Sequence, residues 1–208
     1  MTGIPGAALL VLLGYLIGAI PFGLLIGRLA GGVDLRQHGS GRTGATNALR
    51  TVGIVAAVVV FALDAAKGLA VVLLVGWVYP AGPPGSPPWV AAAVGIAAIG
   101  GHIRSIFIGL RGGRGVATLA GAMLATTPLV VVIVVPLVAV IVWRTRYVSL
   151  GSLAGALLAP LGAAVLIAFG QATPAAVALG LGGAVLVGVA HADNIARLRA
   201  GTERRIGQ

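Results

Sequence analysis

Residues 129–143 read L-V-V-V-I-V-V-P-L-V-A-V-I-V-W, an apolar run without a single charge. An uncharged T-T-P turn precedes this run at 126–128, and Arg144 and Arg146 follow it directly. Because it offers no polar face to water, such a run favours a membrane-spanning helix over a helix of a soluble domain. Basic residues mark the cytoplasmic end of a span. The stretch therefore predicts a helix that enters the membrane from outside and ends inside.

The composition of the whole chain supports this interpretation. The 208 residues are 59% hydrophobic and only 9% charged, whereas a soluble domain carries about 25% charged residues. The absence of cysteine excludes disulfides and thiolate metal sites. The net charge of +10 would suggest nucleic acid in a soluble protein. Here the basic residues lie between apolar runs, so membrane topology explains most of them and no nucleic-acid partner is expected.

The pattern of connections predicts the number of spans. The apolar stretches are 5–30, 52–79, 89–101, 116–127, 129–143, 148–169 and 175–190. The three stretches from 89 to 143 are clearly short of the roughly 20 residues that a span needs, and 175–190 is slightly short. Basic and uncharged connections nevertheless alternate along the chain, and the aromatic residues Trp77, Tyr79 and Trp89 flank the uncharged Pro-rich connection at 80–88. We expect an all-α integral membrane protein of one domain, 1–208, with seven transmembrane helices, the N-terminus outside and the C-terminus cytoplasmic.

One charged pair interrupts the second apolar stretch. Asp64 and Lys67 are three residues apart and share a helical face. An unpaired charge within the bilayer is costly, so we expect the two to pair with each other. A structural pair is the interpretation we favour, and a proton or ion relay is the alternative.

Three polar clusters, all in connections or span ends predicted to be cytoplasmic, contain the candidate functional residues. They are G-S-G-R-T-G-A-T-N-A-L-R at 39–50, G-G-H-I-R-S-I-F-I-G-L-R-G-G-R-G-V-A-T at 100–118 and H-A-D-N-I-A-R-L at 191–198. Glycines expose backbone N–H groups that suit anions, and arginine forks bind phosphate oxygens in pairs. His191 and Asn194 share a helical face at the inner end of the last span. The clusters predict a phosphorylated substrate bound at the membrane surface. The three histidines lack partners at metal-ligand spacing, so no metal or other cofactor is expected.

In this order and spacing, the three clusters resemble those of the bacterial acyl-phosphate:glycerol-3-phosphate acyltransferase (PlsY) family, as does D-A-A-K-G at 64–68. The resemblance covers essentially the whole chain. It implies transfer of a fatty acyl group from acyl phosphate to the sn-1 hydroxyl of glycerol 3-phosphate, which yields lysophosphatidic acid and phosphate for phospholipid synthesis. It also implies a multi-pass protein of the bacterial inner membrane, with its active site facing the cytoplasm and membrane lipid around it. We expect a monomer.

The resemblance also implies roles for particular residues. The expected catalytic residues are Ser40, Arg50, Arg114, His191 and Asn194. The expected substrate-binding residues are Thr46, Asn47, Arg111, Gly112, Gly113, Gly115 and Ser149. The chain departs from the family pattern where Arg replaces Lys at 111 and 114, where Arg104-Ser105 replaces an aromatic-Pro pair, and where Arg42 replaces Asn.

Two other functions stay open at this point. A transporter of a phosphate ester would also use arginines and glycine-rich loops, although it should show polar residues deep in several spans. A diverged lipid acyltransferase with another donor or acceptor is the second alternative. Within the favoured mechanism, the proton acceptor is either a substrate phosphate or His191.

Overall fold

The computed structural model describes residues 4–79 and 86–207. Most of the predicted outer connection at 80–88 lies outside the described residues. Within the described ranges the chain is helical and contains no β-strand. The α-helices are α1 (Ile4–Gly18), α2 (Phe22–Gly31), α3 (Ala45–Thr51), α4 (Ile54–Val78), α5 (Ser86–Ile103), α6 (Val116–Thr126), α7 (Pro128–Thr145), α8 (Val148–Ala168), α9 (Pro174–Ala190) and α10 (Ala192–Arg199). Two short 3-10 turns lie at Leu35–Gln37 and Ile106–Ile108.

Every apolar stretch of the sequence contains a helix, but the helices differ in length. Among the described residues, five segments are long and apolar enough to cross a membrane, and α9 with α10, bent by 64°, makes a sixth if counted together. With 11 residues, α6 rises only about 16 Å, against roughly 30 Å of bilayer hydrocarbon. The helical membrane fold is therefore confirmed, whereas helix length alone does not establish seven spans.

The short helix α6 lies at the centre of the bundle. Its side chains are packed against the surrounding helices, and those of Thr118, Leu119 and Ala122 are almost fully buried. Its backbone approaches α4 closely, because a Cβ atom at Gly68 would collide with the carbonyl of Thr118, and one at Gly121 with that of Ala65. Small residues permit this approach, which is how transmembrane helices gain packing contact without a hydrophobic driving force.

A helix break near the end of α1 explains part of the buried charge. Pro21 has no N–H and separates α1 from α2. The break leaves the Ile20 carbonyl outside a helical ladder, and Lys67 Nζ donates to it at 3.0 Å. Lys67 also pairs with Asp64 at 2.7 Å. The expected Asp64–Lys67 pair is thus present. Lys67 also satisfies a carbonyl that the helix break leaves outside the helical hydrogen bonds.

The outer surface of the bundle is apolar. Only 6% of the residues of α7 are buried within the bundle. Apolar side chains on α7, α8 and α9 are more than half exposed, among them Val132, Val140, Leu157 and Val185. A surface of this kind is stable in lipid, where every backbone group of a helix is already paired. The polar groups collect elsewhere, at one end of the bundle.

The predicted basic connections meet at that end. Arg114, before α6, pairs with Asp193 of α10 at 2.9 Å. The backbone N–H of Ile206 donates to the carbonyl of Arg146, between α7 and α8, at 2.9 Å. These contacts join three parts of the chain around one cavity: the glycine-rich segment at 111–115, the α7–α8 connection, and the C-terminal segment at 192–207.

Candidate active site

The cavity at this end of the bundle holds about 220 Å³ and has two kinds of wall. One wall is apolar, with Phe61, Val116, Val138 and Val148. The other is polar and brings together residues from all three sequence clusters. Its predicted members are Ser40, Thr46, Asn47, Arg50, Arg114, Gly115, Ser149, His191 and Asn194. All five expected catalytic residues thus line one cavity, beside a surface that suits an alkyl chain.

Three expected substrate-binding residues do not line this cavity. Arg111 is exposed. The N–H groups of Gly112 and Gly113 donate to the carbonyls of Ile103 and His102, each at 3.1 Å. Their amides therefore tie the glycine-rich segment to the end of α5, and they are not free to bind an anion. Gly115 remains on the cavity wall, at the start of α6.

Asn47 organises the loop that carries Ser40. The two hydrogens of its side-chain amide nitrogen are shared among the carbonyls of Leu35, His38 and Arg42, which lie 2.8 to 3.0 Å from that nitrogen. Its oxygen accepts the backbone N–H of Ser40 at 3.0 Å. With the side chain 2% exposed, these bonds fix a loop that has no regular hydrogen-bond ladder of its own. Asn47 touches the cavity, but its donors are committed to the loop.

Arg114 presents a partly unsatisfied guanidinium. One nitrogen pairs with Asp193, while its buried Nε has no hydrogen-bond partner among the described residues. Burial lowers the pKa of Arg114 and the charge of Asp193 opposes that shift, so the group stays charged at neutral pH. The first turn of α6, whose N–H groups favour anions, borders the same space. This corner of the cavity is suited to phosphate.

His191 and Asn194 offer acceptors rather than donors. The Nδ1 atom of His191 lies 2.8 Å from the carbonyl of Val187, so Nδ1 carries the hydrogen and Nε2 is left as a proton acceptor. Asn194 donates to Glu203 at 2.6 Å, and its buried oxygen has no partner within the described chain. A substrate hydroxyl is the kind of group that could donate to either atom.

Glu203 is a charged cavity residue that the sequence did not single out. One oxygen accepts from Asn194 and from Ser149, at 2.6 and 2.8 Å, and the other from Arg197 at 2.8 Å. The only available signal was its rarity, since the chain has four acidic residues in all. Glu203 thus orients Asn194 and Ser149, two of the expected site residues.

The environment of Glu203 favours its charged form. Burial opposes ionisation, but the hydrogen bonds from Asn194, Ser149 and Arg197 outweigh burial and lower the pKa of this carboxyl. A group with a lowered folded-state pKa stabilises the protein above its ordinary pKa, which is 4.5 here. That contribution is lost as the pH falls through the lowered value.

We therefore expect Glu203→Gln to reduce the free energy of unfolding by about 2 kcal/mol near neutral pH, because three charge-assisted bonds weaken. The difference from wild type should shrink as the pH falls below 4.5, where the wild-type carboxyl also becomes neutral. Thermal unfolding in detergent across this pH range measures both effects. If the stability difference between wild type and Glu203→Gln does not change with pH, Glu203 does not stabilise the fold through its charge.

The structure also extends the Asp64–Lys67 pair to a third residue. His102 Nδ1 lies 2.9 Å from Lys67 Nζ and 3.4 Å from Asp64 Oδ1. Asp64 and His102 both line the cavity, so the buried pair lies at the edge of the site. Within residues 4–79 and 86–207, no group of three or more His, Asp and Glu is arranged to hold a metal ion.

Comparison with known proteins gives one consistent family. A family model described as glycerol-3-phosphate acyltransferase matches residues 8–201. A glycerol-3-phosphate acyltransferase of Synechococcus sp. (strain JA-3-3Ab) is 46% identical over 202 residues, which are 97% of this chain and 94% of the relative.

Two solved structures have the same fold. The crystal structure of PlsY (YgiH), an integral membrane glycerol 3-phosphate acyltransferase, matches in its glycerol 3-phosphate form with a TM-score of 0.85 and 35% identity. Its lysophosphatidic acid form matches with a TM-score of 0.83 and 33% identity. Each comparison covers 97% of this chain and 96% of the solved chain.

Proposed function

This chain belongs to the glycerol-3-phosphate acyltransferase family, and we propose that it transfers a fatty acyl group from acyl phosphate to the sn-1 hydroxyl of glycerol 3-phosphate. Acyltransferase activity on glycerol 3-phosphate, as a step of phospholipid synthesis, follows from the family and from the relatives. The acyl phosphate donor is the proposed part. The observation that supports it most directly is the convergence of Arg50, Arg114 and His191 on a cavity with one apolar wall.

The polar wall divides into two regions in this proposal. Arg114 and the first turn of α6 hold the phosphate of the acyl donor, where Nε of Arg114 is still unpaired. Arg50, His191 and Asn194 hold glycerol 3-phosphate, and within residues 4–79 and 86–207 no carboxylate forms a salt bridge with Arg50. The described acidic residues, Asp34, Asp64, Asp193 and Glu203, contact other bases instead. A phosphate dianion would supply the missing counter-charge.

The chemical step needs positioning more than a strong base, because phosphate is already a good leaving group. The sn-1 oxygen of glycerol 3-phosphate attacks the acyl carbon and forms the new ester bond. The bond from that carbon to the phosphate oxygen breaks, and phosphate leaves with the electron pair. The hydroxyl proton passes to a substrate phosphate oxygen or to His191 Nε2. Ser40 hydrogen-bonds the reacting centre, and Arg114 stabilises the charge that develops on the leaving phosphate.

Purified protein in detergent tests the donor directly. With palmitoyl phosphate and glycerol 3-phosphate, we expect release of phosphate that requires both substrates, together with an equal amount of lysophosphatidic acid. Activity with an acyl thioester and none with acyl phosphate would overturn the donor assignment. Phosphate-ester movement across liposomes without acyl transfer would favour a transporter instead.

We further propose that the single domain 1–208 crosses the bacterial inner membrane seven times as a monomer, with its N-terminus outside and the cavity facing the cytoplasm. In this arrangement α6 is a short span inside the bundle, shielded from lipid by α4, α5, α7 and α9. The collection of basic connections at one end of the bundle supports this orientation.

The orientation gives a labelling prediction, because the chain has no cysteine. We expect a cysteine at exposed Gln171, between α8 and α9, to react with an impermeant maleimide on intact cells. A cysteine at exposed Gln37 should react only after the membrane is permeabilised. The reverse pattern would invert the topology, and equal labelling of both would exclude an odd number of spans between them.

A further inference from the structure

Lys67 fixes the hydrogen-bonding state of His102. The side chains of Asp64, Lys67 and His102 are 2%, 2% and 6% exposed. Lys67 Nζ forms an ion pair with Asp64 at 2.7 Å and donates to the Ile20 carbonyl at 3.0 Å. Its third polar contact is with His102 Nδ1 at 2.9 Å. An ammonium group has three hydrogens and no acceptor, so Nδ1 must accept the bond.

The alternative state of His102 fits the distances less well. If Nδ1 carried a hydrogen, its acceptor would be Asp64 Oδ1 at 3.4 Å, which exceeds the usual 2.7 to 3.2 Å for such a bond. That hydrogen would also face the Lys67 ammonium. With Nδ1 as the acceptor, the neutral imidazole carries its hydrogen on Nε2.

The Nε2 atom points toward the glycine-rich segment. A Cβ atom at position 113 would overlap it, so only glycine leaves room for the ring there. Arg114 and Gly115, the next two residues, line the cavity, as does His102 itself. Among the described residues, Nε2 has no hydrogen-bond partner, because the contacts of the ring are those of Nδ1.

His102 is buried and lines the cavity, so its unpaired Nε2–H beside a phosphate-binding corner is placed to donate to a bound acceptor. We propose that His102 is a further substrate-binding residue, whose Nε2–H donates to a phosphate oxygen held by Arg114. Lys67 and Asp64 are positioning residues that hold the ring in this state. The inference rests on the proposed function, because it assigns a ligand to the same site.

Nitrogen NMR on wild-type protein labelled with ¹⁵N-histidine measures directly which ring nitrogen of His102 carries the hydrogen. The chain has three histidines, and a His102→Asn sample identifies the resonances of His102. We expect a single tautomer with hydrogen on Nε2, and a change in that signal on addition of inorganic phosphate. Hydrogen on Nδ1, or a signal that phosphate leaves unchanged, would overturn the proposal.

Two amide substitutions at His102 separate its two contacts. One contact is the donation from Nε2 to substrate, and the other is the bond that Nδ1 accepts from Lys67. In His102→Asn the side chain can still accept from Lys67 at the Nδ1 position, but it is too short to reach the glycine-rich segment. In His102→Gln the amide reaches the Nε2 position and keeps a donor there. We expect His102→Asn to raise KM for acyl phosphate about tenfold. We expect His102→Gln to keep KM close to the wild-type value. Equal effects of both on kcat alone, with KM unchanged, would overturn the proposal.

The acyl phosphate donor and the role of His102 are distinguished by different outcomes. If wild-type protein gives no acyl transfer from acyl phosphate while phosphate still shifts the His102 signal, the donor assignment fails and the phosphate site stands. If acyl transfer is normal while the two variants keep wild-type KM values, the proposed function stands and the role of His102 fails.

Discussion

Replacing Arg114 by alanine should lower the turnover number about a thousandfold and leave the protein folded. The guanidinium is one of the charged groups nearest the first turn of α6, and its Nε has no partner among the described residues. Losing it removes the charge that stabilises the departing phosphate, an effect of about 10³ for comparable arginine contacts. Asp193 keeps its second partner, Arg197, at 3.1 Å, so its carboxylate is not left unpaired. The measurement is kcat with saturating acyl phosphate.

Three further variants make the result specific to Arg114. Arg114→Lys keeps the charge and loses the two-pronged contact, so we expect a loss of about tenfold. Arg104→Ala removes an exposed charge from the start of the same α5–α6 connection and should change kcat less than twofold. Arg111→Ala, three residues before Arg114 and exposed, should lose less than tenfold. If Arg111→Ala and Arg114→Ala had equal effects, charge in the segment would matter and the cavity geometry would not.

The resemblance gave Arg114 a catalytic role and Arg111 a substrate-binding role, but composition alone does not separate the two arginines. Both stand beside glycines in R-G-G-R-G, and both are expected to bind phosphate by composition. They differ because the N–H groups of Gly112 and Gly113 are bonded to the end of α5, which turns the chain so that Arg114 faces the cavity. That turn depends on the position of α5, a tertiary contact that no local pattern encodes.

The helical membrane fold was predictable because it depends on local apolar runs and on the alternation of basic and uncharged connections. The length of α6 was harder to interpret, since an apolar helix enclosed by other helices need not match the bilayer thickness by itself. Glu203 was not predictable, because its role comes from contacts with Ser149, 54 residues away in sequence, and with Asn194. Distant pairing of this kind becomes visible only when the helices are packed.

Asn47 shows a similar shift in role, from expected ligand to loop organiser, and it carries the second large effect that we expect. Asn47→Asp should lower activity more than a hundredfold and reduce the free energy of unfolding by about 3 kcal/mol. The substitution is nearly isosteric, so shape is kept. The second carboxylate oxygen would instead face the carbonyls of Leu35, His38 and Arg42, which now accept from the amide nitrogen.

Comparison with alanine separates the effect of the added negative charge from the simple loss of hydrogen bonds. Asn47→Ala removes the same hydrogen bonds without placing an anion among carbonyl oxygens, so it should be less harmful than Asp. Gln37→Glu makes the same amide-to-acid change on an exposed side chain of the same loop, and it should leave activity and melting temperature near wild type. Activity and thermal unfolding in detergent measure all three. If Asn47→Asp kept both near wild type, the loop would not depend on this amide, and Ser40 would have to be positioned by other contacts.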